Sequence, residues 1–181
     1  ETGAAQHLRD ARITTIYEGT TAIQANDFMG RKILRDGGAE IAKLVTEMRE
    51  TAKQLSQSEH SAAKGLGEAL GQGTSALQEA VDWVLSHGKA EPAGTYLGSV
   101  PLVQLAGFVL GGWMMGRAAL QSIQHVQHLL QSQGTPEPFY ATKLAAAGFY
   151  ASHVLSPSLG LLSAVKAGSE ALEQAVVFTG P

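Results

Sequence analysis

The sequence has no cysteine among its 181 residues. Disulfide bonds, cysteine-ligated metal sites and a thiol nucleophile are therefore excluded, and a cytoplasmic location is expected. The chain also lacks an excess of positive charge, because its 13 Lys and Arg residues are outnumbered by 16 Asp and Glu residues, for a formal net charge of −3. A nucleic-acid-binding domain needs a basic surface, so we expect no nucleic acid among the partners of this chain.

Charge of either sign is scarce, since charged residues make up 16% of the chain and hydrophobic residues 44%. This balance is typical of a packed globular chain and not of a disordered one. The length allows one domain, or one domain with a further segment. The chain begins at Glu1 within a sequence that reads as the end of a helix, so we expect it to be a fragment of a longer protein.

One stretch lacks charge altogether, from residue 92 to residue 116. It is long enough to cross a bilayer, which takes about 20 apolar residues. Within it, however, lie Ser99, Pro101 and Gln104, and no surplus of Lys or Arg flanks it. A helix that is apolar on every side can also form the centre of a bundle. We therefore favour a buried core helix, with membrane contact as the alternative.

No pair of strands is evident, and the apolar residues recur every three or four positions, which predicts helices throughout. The clearest case runs from Ile41 to Leu55. The others are predicted over residues 21–34, 66–85, 92–130, 139–155 and 159–177. Glycines weaken the helix over 66–85, so we expect it to pack closely against a neighbour; they are Gly65, Gly67, Gly71 and Gly73. The predicted fold class is all-α, an antiparallel helical bundle.

The residues that point to chemistry lie near the start of the chain, between Arg9 and Gln24. The β-branched and aromatic residues at 13–17 predict an extended segment. Glu18 follows this segment directly. It is a carboxylate on a tight bend, a position from which a side chain can enter a cleft.

A helix is predicted to begin just after this bend. Gly19 favours the bend because glycine can adopt a positive φ. Thr20 or Thr21 is suited to cap a helix that starts near Ala22. The sequence therefore places the carboxylate of Glu18 close to a helix N-terminus.

This stretch resembles the end of the catalytic domain of the acyl-CoA dehydrogenases, a family of flavoproteins. The residues that carry the resemblance are Arg9-Asp10-Ala11, Ile16-Tyr17-Glu18-Gly19-Thr20 and Ile23-Gln24, and it continues through Asn26, Gly30 and Arg31. It covers about the first 36 residues, and the matches occur in order without a gap.

The second half of the chain resembles the helical domain that is appended to some bacterial members of this family. That domain is known as the acetyl-CoA dehydrogenase C-terminal-like domain, and its subfamily includes 3-methylmercaptopropionyl-CoA dehydrogenase-like enzymes. The matching motifs are Gly111-Gly112-Trp113 and Arg117-Ala118-Ala119-Leu120, then Phe139-Tyr140-Ala141-Thr142-Lys143-Leu144-Ala145 and Phe149-Tyr150-Ala151. Each motif alone also suits core packing, so their order behind the first motif carries the resemblance.

The resemblance implies that Glu18 is a general base, which takes a proton from the carbon next to the thioester carbonyl of an acyl-CoA. A hydride leaves the β-carbon for FAD, the product is a trans-2-enoyl-CoA, and electron-transfer flavoprotein is the electron acceptor. The backbone N–H of Glu18 would hold the thioester oxygen. Tyr17 and Gly19 would contact the acyl chain, although Tyr17 equally suits packing beneath the bend.

The resemblance also implies a set of FAD contacts at the predicted helix N-terminus. Thr20, Thr21 and Ala22 match the family residues that contact this cofactor, and a helix N-terminus suits its anionic diphosphate. Ala22 departs from the family, because many members have Gln there. One side-chain contact to the cofactor would therefore be missing.

On this basis residues 1–36 are predicted to end the catalytic helical domain, and residues 37–181 to form the appended domain. The family builds its flavin site from a β-domain and two helical domains across a subunit interface, so a homo-oligomer is expected. This chain has no β-domain and is expected to be inactive alone, with residues 1–36 frayed or differently packed. The alternative function is a helical interaction module, used for oligomerisation or for contact with a partner or a membrane.

A few other polar residues are not predicted to form a functional site. Arg9 and Asp10 are predicted to form a structural pair, and Arg31 is predicted to be structural. His125 and His128 lie one turn apart, but no third ligand is evident, so no metal site is predicted.

Overall fold

A computed structural model of the chain describes residues 3–17, 19–132, 135 and 137–169. None of these residues lies in a strand, and the predicted all-α fold class is confirmed. In chain order the α-helices are α1 (Ala4–Arg12), α2 (Thr21–Met29), α3 (Ala39–Ser56), α4 (Ser61–His87), α5 (Pro92–Leu97), α6 (Ser99–Gln131), α7 (Pro138–Tyr150), α8 (Ser156–Ser158) and α9 (Leu161–Lys166). A 3-10 turn at Ile13–Thr15 follows α1, and π-helical turns at Gly30–Leu34 and Ala151–Leu155 follow α2 and α7.

Helices α3 and α4 form an antiparallel pair. Gly67 of α4 lies against Ser56 at the end of α3, whereas Gly38, just before α3, lies against Leu85 near the end of α4. The stripe of α3 that faces the core consists of Ile41, Val45, Met48, Ala52 and Leu55. Its spacing of three and four residues is the one that predicted this helix.

Helices α6 and α7 are also antiparallel. The ring of Tyr140 stacks on His125 with 4.2 Å between centroids. Further along, the hydroxyl of Tyr150 donates a hydrogen bond of 3.0 Å to the backbone carbonyl of Phe108 and touches Gly111. Partial burial raises the pKa of Tyr150 above its usual value.

Helix α2 belongs to the same core as the bundle. Met29 and Ile33 are fully buried within the core cluster, and α2 packs mainly against α6. The expectation that residues 1–36 are frayed is therefore wrong for these two residues, since α6 packs against α2, and α3 and α4 pack against the turn at Gly30–Leu34. Ile23 at the other end of α2 is exposed. The domain boundary after residue 36 stays a prediction.

The turn that leads from α2 to α3 is fixed by Asp36. Its two carboxylate oxygens accept hydrogen bonds from the backbone N–H groups of Gly38 at 2.9 Å and Glu40 at 3.2 Å. Gly37 and Gly38 have φ angles of 66° and 79°, in the left-handed region that favours glycine. The connection is therefore an ordered capping turn.

The uncharged stretch is divided into α5 and α6 at Gly98, where one continuous helix was predicted. A Cβ at Gly98 would lie 2.6 Å from the carbonyl oxygen of Val165, so glycine is required by this close approach. Pro101 falls within the first turn of α6, where proline is tolerated.

Helix α6 is buried along one side. Leu102, Leu105 and Val109 are fully buried, whereas Phe108 is 37% and Met114 46% exposed. Of the described helices, α6 alone is long and apolar enough to cross a membrane. Its inner face is the one that the bundle covers, as expected for a core helix.

The last predicted helix is shorter than expected among the described residues. The chain is helical at Ser156–Ser158 and at Leu161–Lys166, and the second helix is followed by a turn. Gly168 in this turn has a φ of 65°, a conformation that does not continue a helix. The prediction that one helix runs on through residue 169 is therefore wrong, and residues 170–177 lie outside the described ones.

Candidate functional site

The N-terminus of α2 forms at the position that the sequence predicted. Thr20 has an extended backbone, and its hydroxyl oxygen accepts a hydrogen bond of 3.2 Å from the N–H of Ile23, so it is the N-cap. Thr21 and Ala22 follow in the first turn and are exposed. No acidic residue lies in that turn. Since first-turn N–H groups have no acceptor within the helix, the first turn of α2 carries partial positive charge.

Tyr17 and Gly19 are brought together at a surface cavity of about 320 Å³. Among the described residues, Ile13, Thr14 and Gln24 also line it. The side chain of Tyr17 is 73% exposed, so the alternative of packing beneath the bend is wrong. Its ring is available to line the cavity.

Gly19 lies close to the first turn of α2. A Cβ at this position would overlap the side-chain amide of Gln24. Because Gln24 is exposed, its flexible side chain can move aside, and this contact alone does not require glycine. Glu18, the predicted base, lies outside the described residues.

The segment before the bend is helical, and the prediction of an extended segment at 13–17 is wrong. Ile13–Thr15 continues α1 as a 3-10 turn. The hydroxyls of Thr14 and Thr15 donate hydrogen bonds of 2.7 and 2.9 Å to the carbonyls of Ala11 and Arg12. These local bonds offset the low helical preference of β-branched residues.

The polar residues of α1 are connected through Gln6. The guanidinium of Arg9 donates to the side-chain oxygen of Gln6 at 2.7 Å, and the amide of Gln6 donates to Asp10 at 2.7 Å. The expected direct pair of Arg9 with Asp10 is thus replaced by a bridge, because Gln6 is one turn away from both. Arg31 forms an ion pair with Asp27 at 3.0 Å, and its structural role stays a prediction.

The bundle that carries this site matches a known family. The sequence profile of the family described as acetyl-CoA dehydrogenase C-terminal like covers residues 41–175. The chain belongs to this family. The predicted resemblance of the second half to the acetyl-CoA dehydrogenase C-terminal-like domain is therefore confirmed.

Individual relatives align with this chain beyond the N-terminal end of the family match. A 3-methylmercaptopropionyl-CoA dehydrogenase of Ruegeria pomeroyi is 39% identical over 155 residues, which are 86% of this chain and 25% of the relative. The broad-specificity linear acyl-CoA dehydrogenase FadE5 of Mycobacterium tuberculosis is 31% identical over 159 residues, 83% of this chain and 25% of the relative. A butyryl-CoA dehydrogenase of Syntrophomonas wolfei is 26% identical over 166 residues, 92% of this chain and 27% of the relative. The chain thus spans about a quarter of the length of these relatives.

Three residues of the candidate site were not predicted from the sequence. Ile13, Thr14 and Gln24 line the cavity beside Tyr17 and Gly19. Gln24 belongs to the motif that carries the family resemblance, and its spacing of one turn from Thr20 would have placed it on the same side of α2. Ile13 and Thr14 were predicted to lie in an extended segment, so their position in a 3-10 turn beside the cavity was not foreseen.

Other polar clusters of the chain are weaker candidates for a functional site. No three His, Asp or Glu side chains come together to bind a metal within the part of the chain that the structure describes. A larger groove, about 860 Å³, lies between α3, α4 and residues 159–162. Its lining includes Arg49, Lys53, Glu68 and Glu79 but none of the predicted site residues. We therefore place the candidate site at the smaller cavity beside α2.

Proposed function

We propose that this chain is the C-terminal part of an FAD-dependent acyl-CoA dehydrogenase, which converts an acyl-CoA thioester to a trans-2-enoyl-CoA. The observation that carries the proposal is the order of two segments. The dehydrogenase motif between Arg9 and Gln24 stands directly before the family match at 41–175. Relatives named as dehydrogenases align with most of this chain.

Glu18 is the general base in this proposal. Its carboxylate takes a proton from the carbon next to the thioester carbonyl, while the β-carbon loses a hydride and a double bond forms between the two carbons. The N–H of Glu18 donates a hydrogen bond to the thioester oxygen, where negative charge develops as the proton leaves. Tyr17 and Gly19 border the acyl chain, which the exposed ring of Tyr17 and the cavity beside it support.

The N-terminus of α2 fits the diphosphate of FAD. When bound, FAD accepts the hydride. The hydroxyl oxygen of Thr20 accepts from Ile23, and the N–H groups of Thr21 and Ala22 lie in the exposed first turn of α2, which itself contains no acidic residue. Ala22 contributes only its backbone. These features support the FAD contact, and the rest of the parent protein would complete the flavin site.

The same proposal specifies the substrate, the electron acceptor and the activity of the isolated chain. Acyl-CoA is the substrate, electron-transfer flavoprotein takes the electrons, and the parent is a cytoplasmic homo-oligomer. Because this chain contributes one edge of the flavin site, the 181-residue fragment alone is inactive.

The base is tested by Glu18→Gln in the full-length parent. We expect kcat to fall by about 10²–10⁴, because general-base catalysis typically contributes that factor. FAD and acyl-CoA should still bind, since Gln keeps the size of the side chain and the backbone N–H. Initial rates and flavin absorbance provide the measurements.

Glu47→Gln serves as the matched control, because Glu47 is an exposed glutamate on the outer face of α3. It should leave both rate and flavin absorbance at the wild-type level. A loss of rate below about a hundredfold in Glu18→Gln would mean that the base lies elsewhere.

A second function is supported by the apolar surface of α6 and α7. Phe108, Met114 and Phe149 are exposed large apolar side chains on these helices, and exposed apolar surface is what an interface buries. On this alternative the bundle is an interaction module for oligomerisation or for contact with a partner or a membrane. A flavin titration of the isolated chain, combined with sedimentation, distinguishes the two: self-association without a yellow complex favours the module, and a tight yellow complex contradicts the inactive fragment.

A further inference from the structure

Helix α2 is anchored in the bundle at one end and carries the candidate site at the other. The first buried residue along it is Ala25, and Met29 and Ile33 follow at intervals of four. Residues 21–24 are exposed. The end that carries Thr20 therefore projects beyond the anchored part by about one helical turn.

A single side-chain hydrogen bond joins α2 to the bundle, one residue beyond Ala25. The hydroxyl of Ser99, the first residue of α6, donates to the side-chain oxygen of Asn26 at 2.7 Å. Ser99 is only 2% exposed, and the two residues are 73 positions apart in the sequence. Within the described ranges, this is the only side-chain hydrogen bond from α2 to another helix.

A close backbone contact lies one turn further along α2. A Cβ on Gly30 would lie 2.6 Å from the hydroxyl oxygen of Tyr96, so the tyrosine lies directly against the backbone of α2. Burial of apolar groups such as Met29 is not directional. A hydrogen bond has a preferred direction. Ser99 and Tyr96 together therefore fix the rotation of α2 about its axis and its position along that axis.

We infer that Ser99 is a positioning residue of the dehydrogenase site, which acts through Asn26 to hold the N-terminus of α2 against the FAD diphosphate. This inference rests on the proposed function. Asn26 lies five residues beyond Thr21, or about 7.5 Å along the helix axis. A rotation at Asn26 therefore displaces the N-cap and the bend before it. Displacements of about 1 Å in a catalytic site can reduce the rate about a hundredfold.

The test uses two serine variants of the full-length protein. Ser99→Ala removes the donor to Asn26. Ser122→Ala is the matched control, because Ser122 lies on the same helix, is 4% exposed and donates only to the carbonyl of Ala118 at 2.8 Å. Both variants remove one buried hydroxyl, but only the first touches α2.

We expect Ser99→Ala to raise the dissociation constant of FAD about fivefold, as the loss of one net hydrogen bond of about 1 kcal/mol would. Amide hydrogen exchange over residues 21–26 should become faster by a similar factor. Ser122→Ala should leave both quantities at the wild-type level. Asn26→Leu, which removes the acceptor at an exposed position, should reproduce Ser99→Ala, and the double variant should be no worse than either one.

The outcomes separate the inference from the function on which it rests. Equal FAD affinity and equal exchange in the two serine variants would overturn the positioning role of Ser99. Additive effects of Ser99→Ala and Asn26→Leu would also overturn it, because the two groups would then act independently. A wild-type protein that binds no FAD would instead overturn the proposed function, while the exchange rates of residues 21–26 would still decide whether Ser99 holds α2.

Discussion

The contact between Trp113 and Thr51 shows what one buried polar atom does in this core. The indole N–H of Trp113 donates to the hydroxyl oxygen of Thr51 at 3.0 Å, and the same hydroxyl donates to the carbonyl of Glu47 at 3.0 Å. Both side chains are buried. The hydroxyl thus satisfies the one polar group of a large ring and fixes α6 against α3.

Replacing this hydroxyl should be costly. Thr51→Val keeps the shape of the side chain but leaves the indole N–H without an acceptor. A buried donor without a partner costs about 1–3 kcal/mol, so we expect the free energy of unfolding to fall by that amount. Urea denaturation followed by circular dichroism provides the measurement.

Thr46→Val is the control for this change. Thr46 lies on the same helix, is exposed and makes the same kind of bond to a carbonyl one turn back, that of Ala42 at 2.9 Å. It should change stability little. If the two variants lose equal stability, the bond to Trp113 contributes nothing to the fold.

The same pair shows which residue roles the sequence can predict. Trp113 was expected in the core because it lies within an uncharged helical stretch. Its partner was not predicted, because the bond to Thr51 joins residues that lie 62 positions apart in the sequence. The bond between Ser99 and Asn26 was hidden for the same reason. Long-range polar partners depend on how helices are placed, which a periodic pattern does not encode.

Among the elements, α4 shows that its glycines have separate roles. A Cβ on Gly67 would lie 2.5 Å from the backbone nitrogen of Ser56 and 2.8 Å from the carbonyl oxygen of Ala52. A Cβ on Gly73 would lie 3.1 Å from Leu155. The predicted close packing is confirmed at these two positions. Gly65 and Gly71 have no neighbour within 4 Å in that direction, so there the prediction is wrong.

Alanine substitutions should therefore have opposite effects along this one helix. Gly67→Ala forces α3 and α4 apart, because its neighbours are backbone atoms, and overpacking of this kind costs about 1–3 kcal/mol. Gly71→Ala should stabilise the chain by up to about 1 kcal/mol, the difference in helix propensity. Thermal and urea unfolding of the two variants provide the comparison. Equal shifts of the same sign would show that α3 and α4 do not meet at Gly67.

Element type was predictable here, and element ends were not. The apolar stripes of α3, α4 and α7 identified these helices from the sequence alone. The errors fell where a local contact decides: the threonine hydroxyls that keep residues 13–15 helical, the close approach at Gly98 and the positive φ at Gly168. Each of these depends on geometry that a spacing of three or four residues does not specify.

At the scale of the whole molecule, the family match and the hydrophobic core begin at different residues. The family profile begins at residue 41, whereas the hydrophobic core begins at Met29. An apolar stripe such as Ala25, Met29 and Ile33 looks the same in a sequence whether a catalytic domain or the bundle covers it. Only the tertiary structure shows that α6, α3 and α4 supply the cover.

This packing predicts that α2 unfolds together with the bundle. Amides of residues 25–34 should exchange as slowly as those of residues 102–113, because both segments are buried in one core. Residues 4–12 should exchange rapidly, since α1 has no buried residue. Met29→Ala should lower the stability of the whole chain by about 2–5 kcal/mol, whereas Leu8→Ala, at an exposed position of α1, should leave it unchanged. If residues 25–34 exchange well before α6, then α2 is a separate unit, and the boundary after residue 36 is a boundary of folding as well as of sequence.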